Sequence, residues 1–245
     1  MPPTSPDPDT AMPTLLALDA SSSACSAALL RRRDGHDDQL LTRFVQAPRE
    51  HTRRLMPMID ELLDEAGLTL ADVDALAYGR GPGSFTGLRI AAGVAQGLAF
   101  GLEIPLIGVS TLEALALAGH RRLHLRHVLP VIDARMGELY TAAYRCHAGQ
   151  LTRLADEALL SPERLTLPVG HEEADWVGVG SGWEQWETLP VTVQAGVSQH
   201  LPDMQPAAEE MVLLAAQTLE AGGGEAPHLA QPVYLRDQVA WQKSR

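Results

Sequence analysis

The sequence predicts an α/β protein of two related domains, and three observations predict it. Apolar runs of strand length alternate with stretches of helical periodicity along most of the 245 residues. Glycine-rich turns stand where the strands end. Two openings, Leu15 to Leu30 and His127 to Cys146, each read as a hairpin with an aspartate near its turn, Asp19 and Asp133, which hints at a duplicated unit. A chain of this length holds a sizeable core and one large or two small domains.

The elements follow in order. "MPPTSPDPDTAMP" is rich in Pro, Asp and Thr, lacks the basic start and apolar centre of a signal peptide, and reads as a disordered tail. "TLLALDASSSACSAALL" is strand, small polar turn, strand, and "LLTRFVQ" adds a third. From His51 to Ala66, the residues Leu55, Met58, Ile59, Leu62, Leu63 and Ala66 fall on one side of a helical wheel, with Arg53, Asp60, Glu61 and Asp64 on the other. Pro57 is expected to kink or restart this helix. "DALAYGRGPG" is a buried strand that runs into "GRGPGSFTGLR", where Gly81, Pro82 and Gly83 make a tight turn and Ser84 or Thr86 can cap the next helix. Amides at a helix start accept a phosphate, and glycines let it come close; the same pattern also describes any strand-to-helix turn.

The helix from Ser84 to about Leu102 has only Arg89 and Gln96 as a polar strip. Gly93, Gly97 and Gly101 recur at four-residue spacing, each costing about 1 kcal/mol in helix propensity against alanine. Small residues let another helix approach, and one sheet face cannot cover so broad an apolar surface. The neighbour comes either from this chain or from another. "IPLIGVS" is a short strand and "TLEALALAG" a helix; "HVLPVIDARMGELYTAAYRC" is the second hairpin, and "ADWVGVGSGW" a third glycine-rich strand exit. "AAEEMVLLAAQTLEAGGG" is a capped helix, and "PVYLRDQVAW" a closing extended segment.

Composition excludes several classes. The formal net charge of −12 opposes a protein that grips nucleic acid unaided. The only lysine is Lys243, so a Walker-type loop, a Schiff-base enzyme and a protein-kinase strand lysine are all excluded from the interior. Cys25 and Cys146 offer neither a disulfide framework nor a metal spacing and read as small buried side chains of a reducing compartment. No apolar stretch reaches the about 20 uncharged residues of a membrane span. His120, His124 and His127 lie among Arg121, Arg122 and Arg126, and cations oppose a cation site, so they read as a solvated basic connector. Gly-x-Ser-x-Gly is absent, and "GVGSGW" lacks the third glycine of a dinucleotide fingerprint. Asp19 and Asp133 suit either magnesium-orienting carboxylates or turn caps, with the turn role favoured.

Six blocks in order carry a resemblance that spans Leu15 to Trp241: "LLALDASSSACSAAL", "LMPMIDELLDEAG", "ALAYGRGPGSFTGLRIAAGVAQGLAFG", "PLIGVSTLEALA", "VIDARMGELY" and "PVYLRDQVAW". The chain resembles the TsaB (YeaZ) family of bacterial tRNA threonylcarbamoyladenosine biosynthesis proteins. The resemblance implies the actin-like ATPase (ASKHA, ribonuclease H-like) fold with two related α/β domains. It divides the chain into a tail, 1–13; an N-terminal domain with association helices, 14–108; a second domain, 109–205; a helix, 206–221, packed on the first; and an extended segment, 222–245. It implies a cytoplasmic, non-catalytic scaffold that binds the paralogue TsaD, and with it the ATPase TsaE, for threonylcarbamoyl transfer to the adenosine beside the anticodon. Alone it would be a homodimer, and it would meet tRNA only through the complex, with no membrane.

TsaD-type members carry two metal-binding histidines, four apart, after the equivalent "GVS" strand. Aligned through Gly108 and Val109 those positions are Thr111 and Leu115, and neither replaces a histidine ligand, so no catalytic or metal site is expected. The implied partner interface is Leu55, Met58, Ile59, Leu62, Leu88, Ala92, Gly93, Gln96, Gly97, Phe100 and Gly101. Asp19, Ser21, Gly81, Gly83, Ser84 and Asp133 form a vestigial phosphate or nucleotide loop, in which Ala20 stands where the family usually has threonine. No cofactor of its own is implied; ATP and a divalent metal serve the partner proteins, with room for a nucleotide at the partner interface. Two other readings stay open: an active actin-fold ATPase or small-molecule kinase using Asp19 and Asp133, and a metallopeptidase holding a bound metal.

Overall fold

In the computed structural model, residues 13–33 and 37–236 are described. The expected tail, apart from its last residue, and the end of the closing segment from 237 onward lie outside them. Among the described residues ten strands form two sheets. The first contains β1 (Thr14–Asp19), β2 (Ala24–Arg31), β3 (Gln39–Gln46), β4 (Ala75–Gly81) and β5 (Leu106–Ser110); the second contains β6 (His127–Arg135), β7 (Glu138–His147), β8 (Gln150–Leu160), β9 (Trp176–Val179) and β10 (Val197–Leu201). The helices are α1 (His51–Ala66), α2 (Phe85–Leu102), α3 (Thr111–Leu123), the short α4 (Val191–Gly196) and α5 (Ala208–Glu220).

The duplication is plain in the topology. The first sheet runs β3-β2-β1-β4-β5 and the second β8-β7-β6-β9-β10. In each, two antiparallel pairings are followed by two parallel ones. Both central strands open a hairpin, as the repeated aspartate pattern anticipates, and this is the two-domain α/β arrangement expected.

Side-chain alternation decides what each face meets. Along β1, Leu16 and Leu18 join the cluster with Leu55, Ile59 and Leu62 of α1 and Ala91, Ala95 and Ala99 of α2. Leu15 and Ala17 point the other way, into Met211, Val212 and Ala215 of α5. Helix α5 therefore packs on the first sheet. Its first amide, Ala208, is capped by the Ser26 hydroxyl of β2 at 2.9 Å, whereas the residue preceding the helix, Ala207, has no side chain able to do so. In the second sheet, Leu112, Leu115 and Ala116 of α3 cover one face with Val128, Ala142, Tyr144 and Cys146. Trp176, Trp183 and Val193 fill the other.

Three expectations need correction. α1 runs unbroken through Pro57, which faces water, so the carbonyl that loses its intrahelical partner can be hydrated. β5 extends to Ser110 within the first sheet, so the boundary at 108 cuts a strand. α3 then serves both domains: Ala114 and Leu117 belong to the core under α5, while Leu112, Leu115 and Ala116 belong to the second.

Candidate partner face and the paired turns that hold it

The turn after β1 and the turn after β4 meet directly. Asp19 ends β1 fully buried, and its carboxylate accepts the Ser21 amide at 3.2 Å and the Ser21 hydroxyl at 3.0 Å. Burial pushes this carboxyl from 3.8 up to about 7, against the lowering pull of the Ser21 hydrogen bonds. The Ser84 amide donates to the Ser21 carbonyl at 2.7 Å. A Cβ on Gly83 would run into that same carbonyl, and one on Gly87 into the carbonyl of Ala20. Glycine is required here because two backbones touch. Ser84 caps α2 by accepting the Gly87 amide at 3.4 Å, the role its position suggested.

Asp133 sits at the equivalent turn of the second sheet. Its carboxylate accepts the Arg135 amide at 2.9 Å and pairs with the Arg135 guanidinium at 3.0 Å, while its own amide donates to Ser181 Oγ at 3.1 Å. This is a turn cap. The Thr111 hydroxyl donates to the Pro82 carbonyl, and Leu115 is buried against the second sheet, so both side chains are committed to packing. His120 engages both ring nitrogens, with the Leu125 carbonyl at 2.8 Å and the Gly149 amide at 3.3 Å. Among the described residues no group of three His, Cys, Asp or Glu is placed to hold a metal ion.

The turn pair aims α2 along the first sheet. Gly87, Leu88, Ala91, Ala92, Ala95 and Ala99 are buried, and the opposite face carries Gly93, Gly97, Phe100 and Gly101 in the open. Nothing lies within 4 Å of a Cβ built on any of those three glycines, and Phe100 is 74% exposed. By length and composition α2 would suit a membrane crossing, closer to that limit than the sequence reading allowed, and only 33% of it is buried. An apolar helix so thinly covered leaves a continuous apolar surface in the open.

The expected interface list divides on this geometry. Leu55, Ile59, Leu62, Leu88 and Ala92 are all but sealed in the chain's own core, and Met58 nearly so; the wheel gives a periodicity without saying which neighbour fills it. Gln96 is also engaged within the chain: its amide donates to the carbonyls of Pro227 and Ala230 at 3.2 and 2.7 Å. Gly93, Gly97, Phe100 and Gly101 remain outward.

Sequence reasoning did not anticipate the path of the closing segment. From Glu225, paired with Leu106, it crosses beside α2 to Gln231, whose carbonyl accepts Tyr78 Oη at 3.1 Å, and to Val233, whose amide donates to Arg80 at 2.7 Å. Arg236 then pairs with Glu138 of β7 at 2.6 Å and donates to the Ala134 and Arg135 carbonyls. The polar strip of α2 was the available signal, because Arg89 and Gln96 are the residues that hold this strap.

The family model "TsaD: tRNA N6-adenosine threonylcarbamoyltransferase" matches residues 45–244. The tRNA threonylcarbamoyladenosine biosynthesis protein TsaB of Escherichia coli (strain K12) is 44% identical over 231 residues, covering 94% of this chain and 97% of that protein. The chain belongs to the TsaB family. The TsaB of Haemophilus influenzae is 40% identical over 239 residues, with 94% and 96% covered. The solved structure of YeaZ from Pseudomonas aeruginosa superposes with a TM-score of 0.83 at 43% identity, over 91% of this chain and all of that one. Membership in the TsaB family, together with the match to TsaD, accords with the actin-like ATPase-type fold of two related domains.

Proposed function

We propose that this chain is a non-catalytic subunit in tRNA threonylcarbamoyladenosine biosynthesis, binding TsaD, and with it TsaE, for threonylcarbamoyl transfer to the adenosine beside the anticodon. The observation that carries the proposal is α2: an apolar helix, one face on the home sheet, the other an open ridge of Gly93, Gly97 and Gly101 flanked by Phe100. Glycines at this spacing let a partner helix come close. Supporting it, Thr111 and Leu115 stand where TsaD-type members carry metal-binding histidines, and here both side chains are used in packing. The name shared by the relatives supplies the pathway. Without its partner, the same ridge would pair two copies of this chain. On this reading ATP and a divalent metal belong to the partner proteins, any nucleotide sits at the shared interface, and tRNA is met through the complex in the cytoplasm.

The test is co-purification with TsaD from the same organism, wild type against Gly97→Leu, scored by complex mass and by threonylcarbamoyl-tRNA formed with the remaining components. A leucine at Gly97 projects into open space, so the variant folds. Wild type should assemble and support modification, and Gly97→Leu should lose at least about tenfold in affinity, as expected when a close helix contact is blocked. Normal assembly of the variant would sink the proposal.

A further inference from the structure

The α2 ridge has two flanks of different character. At 100° per residue, Ile90, Val94 and Leu98 turn toward the core cluster that includes α1, whereas Phe85, Arg89 and Gln96 turn toward the strap. The strap adds Leu229, 58% exposed, and Tyr234, 44% exposed, to the surface on that side. At its head the Arg89 guanidinium lies 3.5 Å above the Phe85 ring and 5.5 Å from the centroid of Tyr234, and its Nε donates to Tyr234 Oη at 3.1 Å. The two rings contact each other at 5.6 Å. A long cation is thereby held in one place at the edge of an open apolar face. Among the described residues no carboxylate forms an ion pair with it, whereas Arg43, Arg54, Arg80, Arg121, Arg122 and Arg236 each have one.

Resting on the reading of α2 as the partner face, we infer that the clamp of Phe85, Arg89 and Tyr234 is the charge-selecting end of that face. It takes a carboxylate from the partner helix that lies on the glycine ridge. The strap is then the second wall of the seat, with α1 the first. Aromatic rings under the guanidinium fix its orientation and leave its NH groups directed outward for a bidentate contact. Apolar packing gives most of the affinity, and the ion pair sets which way round the partner helix lies.

The experiment is a titration of full-length chain with its partner at 50 mM and 500 mM salt, for wild type, Arg89→Gln, Arg89→Glu, Tyr234→Phe and Gly97→Leu, with self-association followed in parallel. A glutamate near the start of α2 suits the helix dipole, so Arg89→Glu folds, which its melting curve verifies. Expected are weakening of about tenfold or more for Arg89→Glu at low salt, a loss of salt dependence in Arg89→Gln, and a smaller loss in Tyr234→Phe, which keeps the ring and removes only the acceptor. If Arg89→Glu binds as wild type while Gly97→Leu does not, the clamp is overturned and the partner face stands. If neither variant weakens binding, both fall. If Arg89→Glu weakens only self-association, the carboxylate comes from a second copy of this chain and the assignment to the partner is wrong.

Discussion

At the residue scale the decisive side chain is Asp19. The end of a strand with an acid and small polar residues after it suggests a phosphate-facing carboxylate, but the fold seals Asp19 between two turns and satisfies it from its own turn, chiefly from Ser21. With its folded value at about 7 against an ordinary 3.8, the protonated acid is the form the fold favours. The contribution is therefore whole below about pH 4 and is lost as pH rises through about 7, on the order of 4 kcal/mol across that window. Asp19→Asn, neutral throughout, should flatten the fall in stability between pH 5 and pH 8 and be the more stable protein at pH 8. Urea denaturation at the two pH values measures it, and parallel curves for both proteins would contradict the assignment. What was legible here was the position of the turn. What was not is that Ala20 and Ser21 present carbonyls to the glycines of the next turn, since contact between residues some 60 apart leaves no local pattern.

At the element scale, periodicity located α1 and α2 closely, because each buries one continuous side against a sheet and so repeats every 3.6 residues. It misjudged the destination of that side: Leu55 and Ile59 serve the home core, and the open face is marked instead by what is missing, the side chains of three glycines. β8 was not anticipated for the converse reason. Its sequence "QLTRLADEALL" spaces Leu151, Leu154, Ala155 and Ala158 as a helix would, with alanines and acids that strands disfavour, and pairing with β7 overrides that preference. The glycine ridge yields a prediction that separates stability from use. Gly97→Ala should raise stability by about 1 kcal/mol, since helix propensity improves and the new methyl meets nothing within the chain, while pairing weakens. A denaturant midpoint and a binding titration on the same preparation report both, and a variant that is less stable would mean the ridge is covered within the chain.

At the scale of the whole molecule, the two domains are joined by α3, by the strap, and by the pair of Arg80 on β4 with Glu157 on β8 at 3.1 Å, in which Glu157 is almost buried. Glu157→Ala strands a guanidinium that water reaches only in part and should cost about 1–2 kcal/mol. Calorimetry should still record one transition, because α3 lends side chains to both cores; two resolved transitions would show that the domains melt separately. The duplicated hairpins, faint in sequence, were the true sign of this architecture, since the common strand order rests on which strands pair, a property that survives the replacement of nearly every side chain.

The sharing of α3 has a thermodynamic consequence for association. Its Leu115 face and its Leu117 face are locked into different cores, so the molecule arrives at any encounter already in its final shape. Pairing should then show the modest negative heat-capacity change of hiding one helical surface, without the larger signature of a chain that folds as it binds.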